Sequence, residues 1–60
     1  MIVTVNGDDT DVVDGASVLD LLHQLGLGER WVVVERNGEP VERRHAAETL
    51  LAPGDRIELV

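Results

Sequence analysis

The sequence predicts an α+β fold, in which a mixed sheet of four to five strands carries one main helix on one face. Three observations lead to this prediction. The chain opens with a β-branched run that ends in Asn-Gly, the pair typical of tight hairpins. A single amphipathic segment with a helix-capping signal follows, and the last five residues alternate in polarity like a strand. Because one helix covers only one face, the other face of the sheet is left open.

Length and charge exclude several classes of protein. A chain of 60 residues buries only about 60% of its unfolded surface, so we expect a single domain, residues 1–60. The net charge of -7 repels phosphate backbones and anionic membranes. The chain has no Cys and no apolar run of the roughly 20 residues that a membrane span needs. The same charge favours a basic protein as the partner. We therefore expect a cytoplasmic protein that binds neither nucleic acid nor membrane, and we expect it to be monomeric when free.

Two Asn-Gly pairs predict two β-hairpins. Ile2–Val5 leads through Asn6-Gly7 to a second strand around Thr10–Val13. Asn37-Gly38 leads to a short strand near Pro40-Val41, which the proline restricts to an edge of the sheet or an end of the strand.

The helix carries signals at both of its ends. Ser17 and Asp20 form an acidic capping box, which predicts that the helix begins at Val18. Gly26 suits the left-handed residue that ends a helix, and Leu27 then folds back on the last turn. The apolar face that packs on the sheet consists of Val18, Leu21, Leu22 and Leu25.

Two stretches of the second half are less regular. Trp31–Val34 is apolar on both sides, which predicts the middle strand of the sheet, with Trp31 packed at its start and acting as a partner contact only if exposed. Further along, His45–Glu48 favours a single helical turn, and Leu50 and Leu51 are expected to close the base of the core. The conformation of the whole connection stays open.

The last strand completes the predicted topology. Pro53–Asp55 is a turn, after which Ile57 and Leu59 point into the core. The outward residues of this strand, our candidate partner-binding residues, are Arg56, Glu58 and Val60. The order of hairpin, helix, strand, short strand, irregular crossing and last strand is a β-grasp arrangement.

No residue pattern predicts an active site. His23 and His45 have no nucleophile or orienting carboxylate at a suitable spacing, and Gly26-x-Gly28 follows a helix, whereas a phosphate-binding loop opens one. The acidic residues that fail the calcium-loop pattern are Asp8, Asp9, Asp11 and Asp14. The arginines that either dock an acidic group of a partner or are simply solvated are Arg36, Arg43 and Arg44. We predict a binding or carrier module that is no enzyme and has no catalytic, cofactor-binding or metal site.

Five segments that together make up most of the chain follow a known family pattern: Val34–Arg43, Ala47–Thr49 and Pro53–Val60, and in addition Ile2–Gly7 and Ser17–Leu22. In these segments the chain resembles the ThiS family, the sulfur carriers of thiamine biosynthesis. The resemblance implies a ubiquitin-like β-grasp fold and a flexible C-terminal tail that ends in Gly-Gly.

The resemblance also implies a function. A ThiF-type enzyme adenylates the tail carboxylate with ATP, sulfur replaces AMP, and the thiocarboxylate supplies sulfur to thiazole synthase (ThiG). The carrier then binds no cofactor, because its partner uses the ATP. The sequence stops at Val60, so we expect the carrier glycine beyond it, in a tail that is truncated here.

Two further kinds of β-grasp protein fit the same pattern. One is the sulfur carrier of molybdenum-cofactor synthesis, which usually has a longer chain. The other is a TGS-type binding or regulatory module without carrier chemistry, and the net charge of -7 argues against its RNA contacts.

Overall fold

A computed structural model describes residues 1–28 and 30–60. They form five strands, a helix and a 3₁₀ turn: β1 (Ile2–Val5), β2 (Asp8–Asp11), α1 (Val18–Gln24), β3 (Val34–Arg36), β4 (Glu39–Val41), the 3₁₀ turn Arg43–His45 and β5 (Arg56–Leu59). The strands build one sheet in the order β2-β1-β5-β3-β4. The β1–β5 pair is parallel, and the other three pairs are antiparallel. The predicted α+β fold with a mixed sheet and one helix is confirmed.

The middle strand of the sheet is β5, and the prediction that Trp31–Val34 occupies this place is wrong. The third strand begins only at Val34. Trp31 is 89% exposed and Val33 is 53% exposed, so Trp31 is not the packing residue that we expected. Val32 does pack against the core, but Val33 points to the face that no element covers. In Trp31–Val34, apolar side chains on both faces of the predicted strand therefore did not indicate that both faces are buried.

The core lies between α1 and one face of the sheet. Its buried apolar residues are Val3, Val5, Val12, Ala16, Val18, Leu21, Leu22, Val34, Ala46, Leu51 and Ile57. Three residues predicted for the core on α1, on the connection and on β5 are not among them. Leu59 is partly buried and packs against the core. Leu25 is 38% exposed because the helix ends one residue before it. Leu50 is 59% exposed because it bridges to Ser17 along the backbone while Leu51 turns inward.

The start of α1 is capped from two directions. The predicted capping box is present: the Asp20 amide donates to the Ser17 hydroxyl (3.1 Å), and the Ser17 amide donates to the Asp20 carboxylate (2.9 Å). This second bond holds the pKa of Asp20 below its usual value. The amides of Val18 and Leu19 donate to the carbonyls of Thr49 and Ala46 at 2.9 and 3.1 Å. A distant segment thus satisfies helix-terminal groups that the capping box leaves free.

The end of α1 is the Schellman motif that the sequence predicts. Gly26 has a φ of +75°, its amide donates to the His23 carbonyl (3.0 Å), and the Leu27 amide donates to the Leu22 carbonyl (2.7 Å). Among the residues that the structure describes, no helix has the length and apolar character needed to cross a bilayer.

The first hairpin starts its second strand earlier than predicted. Val5 pairs with Asp8, so β2 follows the two-residue turn at once and does not lie around Thr10–Val13. A two-residue loop leaves no freedom in the register, and as a result Val13 lies beyond the strand and is 75% exposed. The second hairpin and the edge position of Pro40 in β4 are confirmed.

The connection from β4 to β5 makes its first helical turn slightly earlier than predicted. The 3₁₀ turn lies at Arg43–His45, and a second turn follows it over the predicted stretch, because the amides of Glu48 and Thr49 both donate to the His45 carbonyl at 3.0 Å. The carbonyls of Ala46 and Thr49 accept the amides of α1, so this stretch is held against the helix start.

Candidate docking face and the anchoring of the last strand

The face of the sheet opposite α1, here called the open face, carries the predicted partner-binding residues. Cross-strand partners share a face, so the register places Glu58 beside Glu35 and Arg56 beside Thr4. Ile57, between Arg56 and Glu58, is fully buried on the helix side. The central part of the open face consists of Thr4, Val33, Glu35, Arg56, Glu58 and Val60.

The charged side chains at the centre of the open face have no ion-pair partner among the residues that the structure describes. Glu35 and Glu58 lie directly opposite each other, an arrangement of like charges that is unfavourable in a sheet. Within residues 1–28 and 30–60, neither carboxylate has an ion-pair partner, and the Arg56 guanidinium makes no hydrogen bond or ion pair. The face therefore offers both signs of charge to a protein that docks on it.

The end of the open face near the last residue is apolar. Val60 is 87% exposed, and it exchanges two backbone hydrogen bonds of 3.0 Å with Val33. Trp31 lies two residues before Val33 in the chain and is almost fully exposed. An exposed tryptophan is a typical contact residue at protein interfaces, which was our interpretation of Trp31 in the case that it proved exposed.

A buried carboxylate organises the start of β5. Asp55 is only 6% exposed. It accepts hydrogen bonds from the Ala52 amide (2.8 Å), from Arg36 Nε (2.8 Å) and from Asn37 Nδ2 (3.0 Å). Burial raises the pKa of Asp55, but these bonds outweigh it and hold the pKa below its usual value. Sequence reasoning assigned Asp55 only to a turn, and a Pro-Gly-Asp turn carries no signal for partners so far along the chain.

The three arginines that we considered as docking residues all have partners inside the protein. Arg36 binds Asp55, and Arg44 binds Glu42 at 2.6 Å. Arg43 donates to the carbonyls of Arg30 and Gly28. These contacts support a structural role for Arg36 and Arg43, whereas the Arg44–Glu42 pair is exposed on both sides and contributes little to stability.

Both hairpin asparagines do more than form turns. Asn6 and Asn37 have positive φ values, +49° and +53°. The Oδ1 atom of Asn6 accepts the Leu59 amide, and that of Asn37 accepts the Arg56 amide, each at 2.8 Å. The Asn6 side chain thus adds a hydrogen bond on the β1 side of β5, at the end of the strand. The Asn37 side chain adds one on the β3 side, at the start of the strand. Sequence reasoning found the turns but not these bonds.

The side chains that we weighed for catalysis or metal binding are exposed. His23 and His45 are exposed, and His45 Nε2 lies 4.0 Å from a Glu42 carboxylate oxygen. The acidic residues considered for calcium lie on an exposed edge, where Asp11 and Asp14 approach the Met1 amino group. A shallow cavity of about 210 Å³ lies between the second hairpin and the 3₁₀ turn, lined in part by Arg36, Glu39 and Glu42. Residues 1–28 and 30–60 contain no acidic or histidine cluster suited to a metal ion.

The mixed sheet, the single helix and the open face define a small β-grasp protein of the ubiquitin-like class. The model of the ThiS family matches residues 3–60. The chain belongs to the ThiS family.

Solved structures agree with this assignment. A crystal structure of the thiamine biosynthesis protein ThiS from Geobacter metallireducens is 35% identical and superposes with a TM-score of 0.88, covering 100% of this chain and 91% of that one. The solution structure of a thiamine biosynthesis protein from the same organism gives 35% identity and a TM-score of 0.82, covering 100% of this chain and 81% of that one. The predicted β-grasp fold is confirmed.

A curated relative connects the chain to a longer protein. The thiazole synthase of Paramagnetospirillum magneticum (strain ATCC 700264 / AMB-1) is 35% identical over 60 residues. The match covers all of this chain but only 18% of the length of that protein.

Proposed function

We propose that this chain donates sulfur, as a C-terminal thiocarboxylate, for the formation of the thiazole ring in thiamine biosynthesis. The family match over residues 3–60 carries the proposal, because members of the ThiS family are the sulfur carriers of this pathway. In the proposal the carrier glycine follows Val60 in the whole protein, and the reaction takes place in the cytoplasm.

The chemistry needs no catalytic side chain in the carrier. A carboxylate is a poor acyl donor, so a ThiF-type partner activates it with ATP. A carboxylate oxygen bonds to the α-phosphorus of ATP, the bond from that phosphorus to the β-phosphate oxygen breaks, and pyrophosphate leaves. A donor with sulfur at the oxidation level of sulfide then attacks the acyl carbon, and the bond to AMP breaks. The carrier contributes a docking face and a glycine tail narrow enough to enter its partner's site.

The relative from Paramagnetospirillum supports thiazole synthase as the acceptor of the sulfur. A segment similar to this chain makes up 18% of that thiazole synthase. Joining a carrier covalently to the enzyme that accepts its sulfur raises the effective concentration of the donor group at that enzyme. A carrier segment within a thiazole synthase is therefore what we expect if the synthase is the acceptor.

The intact mass of the native protein, isolated from its own cells, tests the proposed function. We expect a Gly-Gly end and a fraction of molecules in which one oxygen is replaced by sulfur. That fraction should return to the oxygen form on hydrolysis. A native chain that ends at Val60 would exclude this carrier chemistry and leave a binding module.

The open face is the surface that we propose for docking on the activating enzyme and then on the synthase. We expect Arg56→Glu and Glu58→Arg each to weaken binding to a ThiF-type partner roughly tenfold, about 1.4 kcal/mol, because both charges are free to pair with that partner. Calorimetric titration with the purified partner measures the change.

Two variants on the other side of the molecule are matched controls. Arg44→Glu and Glu48→Arg make the same changes of charge on the segment that lies against the start of α1. They should bind within about twofold of the unmodified protein, since surface charges beyond a Debye length are largely screened. Unchanged binding of Arg56→Glu and Glu58→Arg would remove both positions from the interface.

A further inference from the structure

We propose that Asn6 is a positioning residue for the transfer reaction: its side chain holds the end of β5, so that the chain leaves the sheet from a defined place and in a defined direction. The inference rests on the proposed function, because it concerns how the tail beyond Val60 reaches the site of the partner. It starts from a hydrogen bond that turn formation does not require.

The first strand cannot hold the end of β5 with its backbone. It ends at Val5, and the chain turns away through Asn6 and Gly7, whose φ values are +49° and +87°. The Asn6 amide still donates to the Ile57 carbonyl at 2.9 Å. Two residues further along β5, the partner of the Leu59 amide is the side-chain Oδ1 of Asn6, at 2.8 Å. The amide group of the side chain stands where the next carbonyl of a longer strand would stand.

The opposite side of the strand end is held independently. Val60 donates to the Val33 carbonyl and accepts from the Val33 amide, both at 3.0 Å. With Asn6 in place, Leu59 and Val60 are therefore held from both neighbouring strands. Leu59 lies opposite Val34 and packs against the core, but the backbone hydrogen bonds described on the β3 side of the strand end are those between Val60 and Val33. Without the Asn6 side chain, the Leu59 amide would lose its described acceptor on the β1 side, and strand ends with fewer hydrogen bonds open more readily.

The hydrogen bond between Asn6 and Leu59 matters for the transfer reaction because the tail is flexible. The position of the last ordered residue of β5 sets where the tail starts, and therefore how well its end is placed in the active site of the partner. Loss of orientation over a few residues lowers the fraction of bound molecules with the reacting atoms aligned, without weakening the docking of the folded domain. An effect of this kind lowers kcat and leaves KM unchanged.

Asn37 provides a matched control within the same protein. It has the same residue type, a similar positive φ and a glycine after it. Its Oδ1 atom also completes the ladder of β5, but at Arg56, where the strand starts. Its Nδ2 atom donates in addition to Asp55, so Asn37→Gly removes one more hydrogen bond than Asn6→Gly.

The test uses the full chain with its natural C-terminus. Asn6→Gly keeps the positive φ at little cost and removes the acceptor, whereas Asn6→Asp keeps an acceptor oxygen. Amide hydrogen exchange is measured at Leu59 by NMR, and kcat and KM are measured for adenylation of the tail by a ThiF-type enzyme with ATP. For Asn6→Gly we expect exchange at Leu59 to rise about tenfold and kcat to fall roughly three- to tenfold with KM unchanged. Asn6→Asp should keep both the slow exchange at Leu59 and the kcat of the unmodified protein. Asn37→Gly should leave kcat within about twofold even though it destabilises the fold.

The outcomes separate this inference from the proposed function. Faster exchange at Leu59 with an unchanged kcat would overturn the positioning role and leave the carrier function intact. An equal loss of kcat in Asn37→Gly would show that stability, and not position, controls the rate, and would also overturn the role. Absence of adenylation in the unmodified chain would overturn the proposed function itself.

Discussion

Replacing Ile57 with alanine is expected to leave much of the protein unfolded at 25 °C. Ile57 is fully buried in the middle strand of the sheet, and it is among the largest side chains without solvent contact. Truncating a buried isoleucine to alanine costs about 2–5 kcal/mol. A single core in a chain of this size rarely supplies more than about 3–5 kcal/mol of stability. The loss is therefore comparable with the whole free energy of unfolding.

Ile57→Val is the matched control for this prediction. It removes one methylene group and should cost only about 0.5–1.5 kcal/mol. Urea denaturation followed by far-UV circular dichroism gives both values. An alanine variant with the same midpoint as the valine variant would show that the site collapses around the smaller residue, contrary to our expectation.

Replacing Asp55 with alanine is expected to cost about 2–3 kcal/mol at neutral pH. The substitution leaves three donors without their acceptor: the Ala52 amide, Arg36 Nε and Asn37 Nδ2. Breaking a buried pair costs about 3–5 kcal/mol, but the Arg36 side chain is 32% exposed, and water replaces part of its interaction. Asp55→Asn keeps an acceptor oxygen for the Ala52 amide, so it should lose less.

The effect of Asp55→Ala should also depend on pH. The folded protein holds the pKa of Asp55 below its ordinary value of 3.8, so the ionised carboxyl stabilises the fold above that pH. This contribution is lost as the pH falls through the lower, folded pKa. The difference in urea midpoint between the unmodified protein and Asp55→Ala should therefore be largest near neutral pH and shrink below about pH 4. A difference that is independent of pH would mean that the carboxylate charge contributes nothing.

Several elements of the fold could be predicted because their causes lie close together in the chain. The Ser17–Asp20 capping box joins residues three positions apart, and the turn at Gly26 is closed by bonds to His23 and Leu22. Each of the two hairpin turns is formed by an Asn-Gly pair of its own. The alternation of polarity along the last strand likewise predicted that Ile57 is buried and that Arg56, Glu58 and Val60 point outward. This prediction did not require knowing which strands pair with it.

The burial of particular apolar residues could not be predicted in the same way. Trp31, Leu25 and Leu50 match patterns that usually indicate a core, yet all three are exposed. Whether an apolar side chain is covered depends on which element crosses it. The order of strands decides this, and it places β5 and not the run before β3 in the middle.

The amino-acid sequence alone was sufficient for the α+β class, the capped helix, the turns, the outward residues of the last strand and the ThiS resemblance. Only the tertiary structure revealed the opposed Glu35 and Glu58, the buried Asp55 and the hold of Asn6 on the end of β5. The reason is distance along the chain: Asp55 binds groups 18 and 19 residues away, and Asn6 binds Leu59 across 53 residues. Sequence patterns of capping, turns and alternation depend on residues only a few positions apart. The contacts of Asp55 and Asn6 form only once the sheet has brought distant strands together.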